Sequence, residues 1–138
     1  MTPTGSVKRI VKHLKDQGLD ALVAASPETT YYLVGARLLM QRLIPARESF
    51  VIVTGDGACT LITAASDVDH ARRDSTATTV IGYGNAEDPS EVLCRVMAEI
   101  GLAVAKIGIE STYMPIADLW MLKRKLPGAT LVTGDDVI

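Results

Sequence analysis

The 138-residue sequence predicts an α/β domain with a mixed sheet of about six strands, one antiparallel hairpin and flanking helices. Three observations carry that expectation. Apolar segments of strand length alternate with amphipathic segments of helix length. One pair of strand-like runs is joined by an Asp-Gly turn, and the length suits one unit with a core of its own.

Val7, Ile10, Val11 and Leu14 recur at i, i+3, i+4 and i+7 among Lys8, Arg9, Lys12, Lys15 and Asp16, which predicts a helix over 5–17 closed by Gly18. Residues 19–25 are almost continuously apolar, as suits a central strand covered on both faces. Ser26-Pro27-Glu28 supplies an N-cap, a proline suited to the first helical position and an acid at the positive helix end. With Gly35 able to close it in the left-handed conformation, a single helical turn is expected, and Tyr31 and Tyr32 are expected to pack at the edge of the core.

Residues 49–54 and 59–63 are strand-like runs around Gly55-Asp56-Gly57-Ala58, whose glycines permit the tight turn of a hairpin, so these strands are read as antiparallel. Ser66 and Asp69 resemble a capping pair that opens a short helix ending near Arg73. Residues 78–83 form the next strand. Asp88-Pro89-Ser90-Glu91 then starts a helix with Val92, Leu93, Val96, Met97 and Ile100 on one face until Gly101 stops it. A strand over 106–110, a helix over 115–126 carrying Ile116, Leu119, Trp120 and Leu122, a Pro127-Gly128 stop and a strand over 130–133 complete the series. Gly134-Asp135-Asp136-Val137-Ile138 reads either as a polar tail or as the opening of a further helix, in which case 1–133 is the domain and 134–138 the start of a linker.

Fourteen basic and sixteen acidic side chains leave a formal net charge of -2, without the basic footprint of a nucleic-acid binder, so no nucleic-acid partner is expected. The longest apolar runs, such as Phe50-Val51-Ile52-Val53, are far shorter than the ~20 residues that cross a bilayer, so no membrane helix is expected. Met1-Thr2-Pro3-Thr4-Gly5-Ser6 lacks the basic and apolar segments of a secretory signal, which makes the cytoplasm the expected location and Cys59 and Cys94 buried thiols.

No catalytic or metal-ligating pattern is written in the chain. His13 and His70 stand outside any HExxH, the cysteines are unpaired, and there is no GxSxG elbow. Gly82-Tyr83-Gly84 lacks the third glycine of a dinucleotide loop, and Glu87 and Asp88 would repel a pyrophosphate, so it reads as a solvent loop. The connector 36–47 is different. It carries five large apolar residues, Leu38, Leu39, Met40, Leu43 and Ile44, and three arginines, Arg37, Arg42 and Arg47, with no acid among them. Its apolar residues either tuck beneath the domain or form an exposed interface patch, and its arginines offer planar forks for a carboxylate.

The order of these pieces resembles a known family: the opening helix, Gly18-Leu19-Asp20-Ala21-Leu22-Val23, Ser26-Pro27-Glu28, Tyr31-Tyr32-Leu33-Val34-Gly35, the Gly55-Asp56-Gly57 hairpin, Lys106-Ile107-Gly108-Ile109-Glu110 and Leu126-Pro127-Gly128-Ala129. Together they are similar to the amino-terminal domain of the creatinase, prolidase and aminopeptidase P family. The resemblance implies a ribonuclease-H-like fold that precedes a C-terminal pita-bread catalytic domain. It implies that two divalent metal ions, such as manganese, are held by that second domain and that no cofactor belongs to this chain. The chain would then be non-catalytic by itself, while the parent would be a metal-dependent Xaa-Pro peptidase or creatinase-like hydrolase. The domain would assist homodimer formation and lend side chains to the rim of the partner subunit's pocket for a small carboxylate or Xaa-Pro peptide. Arg47, just before Glu48-Ser49-Phe50-Val51, best matches the family's carboxylate-binding arginine, with Arg42 or Arg37 as alternatives. Two readings from other classes remain beside it: a free-standing small-ligand-binding or regulatory module, and a small enzyme using Tyr31 or Tyr32 as an acid.

Overall fold

The computed structural model describes residues 4–138; Met1, Thr2 and Pro3, part of the stretch read for a secretory signal, lie outside the described residues. Strands β1 (Ala21–Ala24), β2 (Phe50–Thr54), β3 (Cys59–Ala64), β4 (Thr79–Tyr83), β5 (Lys106–Ile109) and β6 (Thr130–Thr133) form one sheet in the order β4-β3-β2-β1-β5-β6. The expected hairpin joins β2 and β3, with Val53 opposite Cys59. β2 also pairs antiparallel with β1, whereas β1–β5, β5–β6 and β3–β4 are parallel, so β2 alone runs against the other five.

Two layers of helix cover the sheet. Along each strand alternate side chains enter opposite cores, which is why the central segments read as continuous apolar runs. Ala21, Val23, Phe50, Ile52, Ile107 and Ile109 join Leu93, Val96 and Met97 of α5 (Pro89–Glu99) and Leu122 of α6 (Ile116–Lys125). On the other face Leu22, Val51, Val53 and Leu61 meet Ile10 and Leu14 of α1 (Gly5–Gln17), Leu33 of α2 (Pro27–Val34) and Ala71 of α4 (Val68–Asp74). Cys59 and Cys94 fall in different cores and are both free; burial pushes their thiols up to about 12 and about 11.

Several helix signals act as read. Asp88 caps α5 by accepting from the Ser90 N–H, with Pro89 in the first turn. Ser26 caps α2 by accepting from the Thr29 N–H, and Gly35 ends it at φ 73°. Four details differ. α2 is an eight-residue helix rather than a single turn, because Thr29, Thr30, Leu33 and Val34 bury one face of it. That orientation turns the tyrosines outward: Tyr31 is 46% and Tyr32 37% exposed, so they do not pack in the core edge. Ser66 caps nothing, since a 3-10 turn over Ala65–Asp67 precedes α4 and the Asp67 carboxylate accepts instead from the Met40 N–H at 3.0 Å. Residues Asp135–Val137 form a 3-10 turn, not the first turn of an α-helix; Val137 is fully buried and its carbonyl lies 2.8 Å from His13 Nδ1.

Candidate functional site

Parallel strands and the reversed β2 together bring the ends of β1, β3, β4 and β5 and the beginning of β2 to one edge of the sheet. In open α/β sheets ligands gather outside the carboxyl ends of the strands, where loops diverge. Here that edge carries the whole connector between α2 and β2. Its middle folds into α3 (Leu39–Leu43), an element with no side-chain cap and no clear helical period in the sequence.

Buried polar contacts hold the connector and α2 in place. Glu110, at the end of β5 and 6% exposed, accepts four hydrogen bonds: Oε1 from the Ala25 and Ser26 N–H groups at 2.8 Å each, Oε2 from Ser26 Oγ at 2.9 Å and Thr29 Oγ1 at 2.6 Å. It thereby satisfies the donors at the head of α2, where a negative charge also meets the positive helix end. Gln41, buried on α3, donates from Nε2 to the Ala25 carbonyl at 2.9 Å and to Thr30 Oγ1 at 3.1 Å. A short polar bridge thus ties α3 to β1 and α2.

Above this framework Pro27, Glu28, Tyr31, Arg37, Leu38, Gln41 and Arg42 line a cleft of about 440 Å³. The Arg37 guanidinium lies 4.3 Å from the centre of the Tyr31 ring, a cation–π contact that holds the fork flat. Among the described residues neither Arg37 nor Arg42 is in a salt bridge. Two unpaired guanidiniums and the Glu28 carboxylate in one cleft complement a ligand with a carboxylate and an ammonium group.

The connector's other residues divide by place. Leu38 is buried at 1% and Met40 is packed against the core, so these two do not belong to an exposed patch. Leu39, Leu43 and Ile44 are 61%, 65% and 43% exposed. Arg47 stands apart from Arg37 and Arg42: it lies 4.7 Å over the Tyr83 ring and donates to Asn85 Oδ1 at 3.3 Å. Tyr83 in turn donates its hydroxyl to the Glu48 carbonyl at 2.6 Å, and burial pushes that phenol up to about 12. The backbone after Arg47 is therefore anchored to β4.

Sequence reasoning missed Glu48, Glu110, Gln41 and Tyr83 as parts of this edge. Glu110 had one usable signal, a carboxylate closing an otherwise apolar strand; the others carry no local pattern.

Residues 7–138 match the family model of the Creatinase/Prolidase N-terminal domain. This chain belongs to that family. Among curated proteins, none matches it in sequence. Solved structures with the creatinase/prolidase N-terminal fold include a proline dipeptidase from Streptococcus pneumoniae TIGR4, with TM-score 0.78 and 22% identity over 94% of this chain and 91% of that one. The Creatinase/Prolidase N-terminal domain of an X-Pro dipeptidase from Streptococcus pyogenes gives 0.77 and 22%, covering 94% and 93%. The prolidase from Pyrococcus horikoshii OT3 gives 0.72 and 21%, over 97% of this chain but only 33% of that one. At such identities the likeness is one of fold.

The family resemblance implies a pair of divalent metal ions held by a second, catalytic domain, and the described residues of this domain form no further site that fits them. Among the described residues no three His, Cys, Asp or Glu side chains converge as metal ligands. The half-buried Glu48 and the buried Asp118 do approach each other, but the Glu48 carboxyl is pushed up to about 9, first by burial and then by its hydrogen bond to Asp118 and the charges of Asp118 and Asp88. A carboxyl that keeps its proton is a poor ligand.

Proposed function

We propose that this creatinase/prolidase N-terminal domain is the non-catalytic part of an Xaa-Pro dipeptidase-like metallohydrolase, contributing to a homodimer and to the rim of the partner subunit's substrate pocket. The observation that carries the reading is the connector's arrangement: Arg37 and Arg42 open onto one cleft, and Leu39, Leu43 and Ile44 stand exposed on the same segment. Unpaired arginines suit a peptide's terminal carboxylate, which two parallel N–H donors hold in one orientation. Exposed apolar residues beside them suit a contact with another chain. The hydrolytic step would belong to a catalytic domain, where two divalent ions such as manganese would supply the metal-assisted chemistry. The names of the similar structures, dipeptidases and prolidases, agree with this reading.

Binding at the rim is expected to be weak in the isolated domain and to depend on the carboxylate. In an ¹⁵N NMR titration with an Xaa-Pro dipeptide, amide shifts are expected around residues 28–42; the C-terminally amidated peptide and the Arg37→Ala/Arg42→Ala chain should remove them. Shifts elsewhere, or equal shifts with the amide, would contradict the assignment. The cleft beside Tyr31 favours a second reading, a free-standing small-ligand-binding module. Micromolar affinity for the dipeptide in a chain that stays monomeric by light scattering would select that reading over the rim.

A further inference from the structure

Glu48 Oε2 and Asp118 Oδ2 are buried and meet no ordinary hydrogen-bond donor among the described residues. Yet the two side chains are within hydrogen-bonding reach of one another, Glu48 from the end of the connector and Asp118, 5% exposed, from the first turn of α6. Two bare carboxylates so placed would repel each other and forgo water as well. One proton removes both costs, because the protonated carboxyl donates to the ionised one.

We propose that Glu48 and Asp118 share a single proton, and that this bridge clamps the C-terminal end of the arginine connector onto α6 and loosens as the pH is raised. A cation in place of the proton lacks a third converging ligand among the described residues.

The neighbours work in the same direction. Asp88, at the head of α5, adds negative charge, and Cys94 of α5 is a buried neutral thiol. Tyr83 of β4 is un-ionised and engaged with the Glu48 backbone, while Tyr113 and Glu110 approach from the segment between β5 and α6; burial and the charges of Glu28, Glu48 and Glu110 raise the Tyr113 phenol. Arg47, the cation next to Glu48 in the chain, engages its guanidinium with Tyr83 and Asn85. Burial of Glu48, the bridge to Asp118 and the charges of Asp118 and Asp88 together keep the proton on Glu48 up to about pH 9.

The folded value lies above the ordinary 4.5 of the unfolded chain. The clamp's contribution is therefore complete below the unfolded value and lost as the pH rises through the folded one. Between them the folded chain holds a proton that the unfolded chain has released, so the unfolding constant rises by up to about tenfold per pH unit from this pair.

Urea unfolding from pH 6 to 9.5 on the wild type and Glu48→Gln tests it. The glutamine amide donates to Asp118 at every pH, so the variant is expected to lose close to one proton's worth of pH slope. Its Arg47 and residue-48 amide resonances should also stop moving with pH. Parallel slopes in the two chains would overturn the proposal. If Glu48→Gln does not fold, Asp118→Asn, whose amide donates to the Glu48 carboxylate, is expected to lose part of that slope, since the burial of Glu48 remains, and a slope unchanged from the wild type carries the same refutation. Millimolar calcium or magnesium at pH 8 should leave the wild-type midpoint unchanged; a rise that Glu48→Gln lacks would replace the proton by a cation and overturn it.

Discussion

Replacing Glu110 with alanine is expected to lower the unfolding free energy by roughly 3 kcal/mol or more, because a carboxylate accepting several buried donors is removed at once. The Ala25 and Ser26 N–H groups lose their acceptor outright, while Ser26 and Thr29 must rotate their hydroxyls to find others. Glu110→Gln keeps one acceptor oxygen but sets an NH₂ group against donors, so an intermediate loss is expected. Urea denaturation measures both. A loss below about 1 kcal/mol for the alanine chain would mean that water replaces the carboxylate freely and that the site is not sealed. The effect also reaches the cleft, since the pinned segment leads into the helix that bears Glu28 and Tyr31.

Gly134→Ala is expected to cost about 1–3 kcal/mol by overpacking, although Gly134 sits at an ordinary negative φ of -112°. A Cβ there would lie 2.8 Å from the Gly108 carbonyl carbon, 2.9 Å from its Cα and 2.8 Å from Leu22 Cδ1. Two of these are backbone atoms of β5, which cannot step aside without disturbing its pairing with β1 and β6. The Gly134 N–H, bonded to the Ile109 carbonyl at 2.7 Å, fixes the approach. Gly5→Ala is the control, with open space around the new methyl and no loss expected. Equal stabilities for the two variants would show that β5 and the residue after β6 are not in backbone contact.

Most of the fold was legible because its signals are local. The α1 stripe, the Asp88-Pro89 start of α5, the Asp-Gly hairpin and the two-sided apolarity of β1 each act within a few residues, and each lies where periodicity and turn chemistry put it. The failures share a cause, which is tertiary choice. α2 runs for two turns because its Thr-Thr and Leu-Val pairs find a core to enter, a fact that leaves the tyrosines outside. For the candidate site, the arginines of 36–47 were visible as an excess of charge in an apolar connector, but their separation into a Tyr31 cleft and a Tyr83 stack was not. Glu48–Asp118 and the four bonds of Glu110 span long stretches of chain, and no spacing rule connects such residues.

That the bond-breaking chemistry lies outside this domain is the central claim, and incubation of the purified 138-residue chain with a panel of Xaa-Pro dipeptides and added manganese tests it most directly. No release of free proline above buffer is predicted at any metal concentration. Release that grows with the amount of chain and stops on chelation would contradict it.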